Sequence, residues 1–377
     1  MQRLSGIHGL RAVAALSIVA FHVAYVPGFV TQPPILNQII PQLGLGVPLF
    51  FVLSAFSLAY SHEKDVGKTG WVWPYLIKRL FRIGPLFWAM MVAYWYLGFP
   101  PLDSSGARLW LINATFIFNF FPGLHESGVA AGWSIGIEMP FYLLLPFILK
   151  RMRTPRHAVV FLAASVVVSA ASRYWLMHQA GLPAGYYHMA FTSYLATFAF
   201  GLLAYQCFRA YETPRVLGII TIAWLALLPF RVVTASYTSF PDDIIFWSGF
   251  FGLLTLWQAA RPLRWLASAP MQWLGERSFS IYLLHPLVIF MLIRHGVAAA
   301  IWQTLEPLIG SWAYMALAAL AFAIVIPAAG LTYLLIEQPG QKLGSAIIAA
   351  IRSATYNNAT HHLEARPNRA RAATDAN

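Results

Sequence analysis

The chain has 377 residues, 59% of them hydrophobic and only 10% charged, with 27 Phe, 17 Tyr and 14 Trp. Soluble domains hold roughly 25% charged residues, so the composition excludes one and describes an all-α, polytopic integral membrane protein. The 25 Lys and Arg against 13 Asp and Glu leave a formal charge of +12; in such a protein this marks basic loops held on one side, not nucleic-acid binding.

Ten apolar runs, at 9–27, 43–61, 81–98, 133–149, 158–177, 188–207, 216–235, 243–259, 279–295 and 312–336, each approach the roughly 20 residues a helix needs to cross the hydrocarbon. With the N-terminus inside, 21 of the 25 basic residues fall on the inner side and only Arg108, Arg173, Arg231 and Arg294 on the outer. The positive-inside rule then makes both termini and loop 150–157 cytoplasmic. The aromatic run 109–121 reads as re-entrant or interfacial, because a further crossing there would throw Lys150, Arg151, Arg153 and Arg156 outside. Residues 1–340 form the transmembrane domain, and 341–377 read as a cytoplasmic, disordered basic tail. The lone Cys207 allows no internal disulfide. No cleavable signal, internal repeat or second soluble domain is evident.

In the first span, His22 stands eleven steps along the chain from Arg11. At 100° per residue that is about 20° past three turns, so both lie on one helix face roughly 16 Å apart. A titratable imidazole well inside a membrane helix points to a functional site, although a signal anchor with a satisfied histidine has the same pattern. The second span opens with Gly44, Gly46 and Pro48, which suits close helix packing or an unwound start. In the third, Arg79 and Arg82 share a face beside Lys78 near a helix N-terminus, which suits a phosphate ligand or lipid headgroups equally.

The fourth span begins Trp133-Ser134, with Glu138 further in. A buried carboxylate needs a partner, and by rise per residue Glu138 and His22 reach one depth, as a general base with its orienter or as a structural ion pair. His285 in the ninth span falls too near the cytoplasmic face to meet His22 and reads as packing or cofactor contact. Glu337, ending the tenth, reads as a partner for one of the inner arginines. No Gly-rich phosphate loop, paired-histidine zinc motif or nucleophile elbow is present; the His361-His362 pair is a weak metal signal and no metal is expected.

Together, Gly9-Leu10-Arg11 with His22, Leu49 to Ser54, Arg79 with Arg82 and Pro85, Trp133-Ser134 with Glu138 to Tyr142, Ser280 to Pro286, and Glu337 resemble acyltransferase family 3, bacterial membrane-bound O-acyltransferases of cell-surface glycans. The resemblance runs in order over residues 5–340. It departs at His8, where Asp is usual, and at Ala55, where Gly is usual. It implies ten helices in the bacterial cytoplasmic membrane, no permanently bound cofactor, acyl-CoA as donor with acetyl the commonest group, and a hydroxyl of a surface or lipid-linked glycan as acceptor.

Under that resemblance Arg11, Lys78, Arg79 and Arg82 hold the CoA phosphates, His22 oriented by Glu138 is the catalytic base, and Trp133 and Ser134 bind substrate. Oxyanion donors stay open among Ser134, Trp133 and backbone at Gly44 to Gly46. Two readings from other classes stand beside it: a proton-coupled transporter or flippase, disfavoured by the absence of internal repeats, and a non-catalytic partner in polysaccharide assembly. Oligomeric state is not legible.

Overall fold

A computed structural model describes residues 4–99, 106–183, 185–212, 217–226 and 243–364, the last eleven by backbone alone. The described residues are helical throughout and contain no strand. In chain order the helices are α1 (Ser5–Tyr25), α2 (Gly46–His62), α3 (Val72–Tyr96), α4 (Ala107–Ala114), α5 (Trp133–Arg151), α6 (Pro155–Met177), α7 (Tyr186–Met189), α8 (Leu195–Ala210), α9 (Leu217–Leu225), α10 (Asp243–Ala260), α11 (Ala269–Glu276), α12 (Ser278–Arg294), α13 (Val297–Ile309), α14 (Ala313–Thr332) and α15 (Gln338–Glu364).

Six helical stretches are long and apolar enough to cross a membrane, and a seventh if α11 and α12, bent by 69°, count as one. That supports a multi-pass membrane protein and does not fix the count at ten. The expected third and eighth spans are α3, which carries Lys78, Arg79 and Arg82 in its first half, and the apolar part of α10, 17 residues long. The expected span at 216–235 lies largely outside the described residues. Within 109–121, α4 has eight residues, about 12 Å, too short to cross.

Two expectations are corrected. Residues 297–309, assigned to no element, form helix α13. The chain from 341 is not an unstructured tail, because helix α15 continues to Glu364. It is held by packing: a Cβ on Gly340 would lie 2.6 Å from Pro85, and one on Gly344 2.7 Å from Phe81. Small residues there let α15 lie directly against α3. Residues 365–377 lie outside those described.

Helix α1 is the axis of the bundle. Its Ala12, Ala14, Ala15, Ile18 and Val19 are wholly buried. One edge, Ile7, Leu10, Ala14 and Ile18, joins the apolar core shared with α2, α3, α5 and α8; the opposite edge, Ala15, Val19 and Val23, joins a second core with α12 and α14. Burying opposite stripes requires an all-apolar helix of small residues. Gly46 confirms the packing reading of α2, since a Cβ there would meet the Ala14 carbonyl at 2.6 Å.

Near its N-terminus α1 is clasped by α11: a Cβ on Gly275 would stand 2.0 Å from the His8 carbonyl, and Gln272 Nε2 donates to the Ser5 carbonyl at 2.8 Å. The chain then bends and α12 starts beside this end, running parallel to α1. Helix α6 begins at Pro155 with Thr154 as its cap, Oγ1 accepting from the His157 N–H, a preference that follows from the unpaired donors of a first turn.

Candidate active site

Two cavities open into each other at the end of the bundle where α1 begins. The outer one, about 570 Å³, is walled by Ile7, His8, Tyr60, Glu276, Tyr333 and Gln341 among others. The inner one, about 100 Å³, has apolar walls from Val47, Phe50, Phe51, Ile83, Ile135 and Phe279, and polar groups from Ser54, Ser134, Glu138, Tyr142 and Tyr282. Arg11, Arg79 and Arg82 line both, as does Leu58. Three guanidinium groups thus ring the junction between mouth and chamber.

The spacing explains which basic residues arrive there. Arg79 and Arg82, three apart on α3, share a face. Lys78 is turned 100° from Arg79; it is exposed and lines neither cavity, so the expectation that it joins the arginines is not met. Arg82 is ion-paired with Glu337, whose other oxygen accepts from Ser280 Oγ at 2.8 Å. Glu337 ends a π-helical turn, Tyr333–Glu337, and its side chain is wholly buried. The expected pairing of Glu337 with an inner arginine is therefore met by Arg82. The buried Nε of Arg79 has no hydrogen-bond partner among the described residues, leaving a planar, charged donor turned toward the junction.

Glu138 faces the inner chamber close to the Ser54 and Tyr142 hydroxyls, which lie 3.0 Å apart, and within electrostatic range of Arg11 and Arg79. Tyr75 fixes this corner by donating to the Tyr142 carbonyl at 3.0 Å. At the far end of the chamber Tyr282 donates to the Ala131 carbonyl and its hydroxyl lies 2.8 Å from Ser134 Oγ. Ser134 thus lines the chamber, whereas Trp133 lies against Tyr194, 6.0 Å between ring centroids, and lines neither cavity.

The expected pairing of His22 with Glu138 is not formed. His22 Nδ1 lies 3.0 Å from the Ile18 carbonyl and 3.0 Å from Nε2 of His285, with the two ring centroids 4.9 Å apart. Helix α5 runs opposite to α12. From the contact of Ser134 with Tyr282, Glu138 lies a turn toward the basic end and His285 a turn away, so about 10 Å of axis separates them. Residues before α5 contribute to this offset: Phe118 covers Gly136, and Ser134 is already buried at the start of the helix.

His285 was expected too low to meet His22. It is high enough because α12 starts level with the first turns of α1 after the bend, and because a helical side chain leans toward its own N-terminus. Gly275 of α11 meets His8, and beyond the bend His285 of α12 stands against the His22 ring, which reaches back to the Ile18 carbonyl. Sequence arithmetic that starts every span at the membrane surface cannot find this pair. The adjacent Pro286, which breaks the helical hydrogen-bond ladder at this depth, is the local signal for it.

The geometry also assigns the His22 tautomer. A carbonyl only accepts, so the bond to Ile18 requires the proton on Nδ1, and His285 Nε2 is then a second acceptor for it. Nε2 of His22 has no partner among the described residues and carries the basic lone pair. No cluster of three or more His, Cys, Asp or Glu side chains able to hold a metal occurs among the described residues.

Nodulation protein 10 of Rhizobium leguminosarum bv. viciae is 26% identical over 337 residues, 81% of this chain and 84% of the relative. Acyltransferase MdmB of Streptomyces mycarofaciens is 27% identical over 394 residues, 90% and 92%. Putative O-acetyltransferases of Staphylococcus aureus are 24% identical over 323 residues, 77% of this chain and 51% of theirs. No solved structure matches the chain. The acyltransferase domain model of acyltransferase family 3 matches residues 4–333, and the chain therefore belongs to that family and is an acyltransferase.

Proposed function

We propose that the enzyme moves an acyl group, acetyl in the simplest case, from acyl-CoA to a hydroxyl of a surface or lipid-linked glycan. The observation that carries this reading is the ring of Arg11, Arg79 and Arg82 between an open mouth and a chamber with apolar walls. Guanidinium groups pair with phosphates through two parallel hydrogen bonds, so the nucleotide end of CoA sits in the mouth. Its uncharged arm passes the ring into the chamber. His22 stands roughly 16 Å along α1 from Arg11 and lines neither cavity, so the arm has to extend past the chamber to reach it. Relatives named as an acyltransferase and as putative O-acetyltransferases support the acyl and acetyl parts of the reading.

In the transfer step the acceptor hydroxyl gives its proton to Nε2 of His22 as its oxygen attacks the thioester carbonyl carbon. The C–O bond forms, the C–S bond breaks, and the proton passes from His22 to the departing thiolate, leaving an ester and free CoA. His285, sharing the Nδ1 proton with Ile18, holds the ring in the tautomer that the step needs. Ser134 is the hydroxyl donor at the end of the chamber that suits the developing oxyanion, positioned by Tyr282, whose own proton goes to the Ala131 carbonyl. Glu138, set apart from His22, balances the arginine charge and shapes the chamber with Ser54 and Tyr142.

The basic-residue asymmetry of the sequence supports a cytoplasmic donor side, with both termini cytoplasmic and the protein in the bacterial cytoplasmic membrane.

Acetyl-CoA binding to purified protein in nanodiscs tests the donor site. Arg79→Lys and Arg79→Ala should weaken binding, each lost charge-assisted contact costing about 1.5–3 kcal/mol, or roughly 10- to 150-fold in Kd. Lys78→Ala should leave it within about twofold. Equal Kd values for Arg79→Ala and the unsubstituted protein would overturn the reading.

A further inference from the structure

We infer that a second cavity, at the other end of α1, is the acceptor subsite, and that it holds an uncharged sugar. The inference rests on the glycan reading of the acceptor and adds the place where the sugar is held. The cavity, about 390 Å³, is lined by Ala24, Tyr25, Gly28, Val30, Thr31, Gln32 and Asn37. This volume is within the range of small-molecule sites.

Its position follows from α1. Taking Arg11 as zero, His22 lies at about +20° and Tyr25 at about −40° around the helix axis. One stripe of one helix therefore carries a phosphate-binding residue of the donor ring, the proposed base, and an aromatic wall of this cavity, in that order along the axis. Tyr25 is 45% exposed. Its ring packs on Phe21 at 4.8 Å between centroids, and Phe21 stands edge-on to His22 at 5.2 Å. The cavity is thus one turn from the base, on the side away from the arginines.

The lining has the chemistry of a hydroxyl-rich, neutral ligand. It contains no charged group; it offers one phenol, one hydroxyl and two carboxamides, which supply donors and acceptors together. Gln32 Nε2 donates to the Ala24 carbonyl at 3.3 Å, which fixes the amide and leaves its oxygen to accept. Gly28, at φ +74°, turns the chain at the cavity's edge and has no atom within 4 Å of a Cβ position, so the turn adds no bulk. A neutral aromatic face flanked by amides suits the C–H face and the hydroxyl edge of a pyranose. Anions and cations find no counter-charge there.

Ile35 and Ile39, 73% and 53% exposed and four residues apart, flank Asn37. Exposed isoleucines beside a polar cavity set it at the boundary between lipid and water, where the sugar of a membrane-bound acceptor is presented.

The test is saturation-transfer difference NMR on the full chain in nanodiscs, with methyl α-D-glucopyranoside, methyl α-D-mannopyranoside and methyl α-L-rhamnopyranoside as probes and glycerol as control. At least one glycoside should give a signal that glycerol does not. Tyr25→Ala and Asn37→Ala should each reduce it at least fivefold, while Tyr25→Phe, which keeps the ring, should retain more than half. Absence of signal from all three glycosides, or an unchanged signal in both alanine variants, overturns the inference. Acetyl-CoA binding, measured on the same samples, should be the same in every variant and so confirms that each is folded. If the unsubstituted protein binds no acetyl-CoA, the donor reading fails; the glycoside result decides the acceptor cavity in either case.

Discussion

The Arg82–Glu337 pair gives the sharpest energetic test of how the mouth is built. Glu337 is fully buried, pairs with Arg82 and accepts from Ser280, itself wholly buried. Glu337→Met leaves a charged guanidinium in a largely buried site, which costs on the order of 3–5 kcal/mol, and strips Ser280 of its acceptor for about 1–3 kcal/mol more. Arg82→Met strands the carboxylate at a similar cost to the broken pair. In the double variant no unpaired charge is left, and only the Ser280 loss of about 1–3 kcal/mol remains. The double variant should therefore be more stable than either single one, a coupling of several kcal/mol. Reversible unfolding in mixed micelles, followed by tryptophan fluorescence, measures all four corners of the cycle. Additive losses would refute the reasoning, because they would mean that the pair is hydrated and its partners independent.

Three further outcomes are expected. His22→Ala should abolish acetyl transfer, and the shifted variant His22→Val with Val23→His, which moves the imidazole 100° around α1 at constant composition, should be equally inactive while still inserting; near-normal transfer by the shifted protein would remove His22 from the mechanism. His285→Leu should lower kcat by about 10²-fold with acetyl-CoA affinity unchanged, and His285→Gln, which still offers an acceptor, should recover part of it; equal kcat for the two would deny His285 its orienting role. A cysteine at position 153 should resist a membrane-impermeant thiol reagent in intact cells and react after permeabilisation, and labelling in intact cells would reverse the assigned orientation.

What could be read from sequence was whatever depends on one helix at a time. The helices α1, α2, α5, α6, α8, α10, α12 and α14 were legible because long apolar runs have no other stable form in lipid. Arg79 and Arg82 on one face, and Arg11 on the stripe that later carries His22, follow from the 100° step alone. Glu337 as partner of an inner arginine was legible because a carboxylate at the end of an apolar run needs one. Not legible were relations between helices. The reach of His285, the separation of Glu138 from His22, and the turning of Trp133 toward Tyr194 depend on where α5 and α12 start relative to α1. That is set by the bend after α11 and by the segment before α5, whose Phe118 covers Gly136. Helix α13 escaped because its 13 residues, though apolar, are too few to cross the hydrocarbon, and the packed start of α15 because it is not apolar and is held by its neighbours.

The replacement of Glu138 by His285 beside the base changes the chemistry that the site can perform. A carboxylate against His22 would bind its protonated form strongly and make the imidazolium slow to return the proton. A second imidazole, accepting through a neutral nitrogen, orients the ring with much less stabilisation of the charge, so in the proposed transfer the proton taken from the acceptor stays available to the leaving thiolate. The carboxylate is instead placed a turn or more toward the arginines, where three cations would otherwise repel one another across the junction. There it shares their field with the Glu337 pair and leaves Arg79 with an unsatisfied buried Nε. In the proposed mechanism a site arranged in this way keeps its strong charges where the anionic donor is held and sets apart from them the imidazole that passes the proton on.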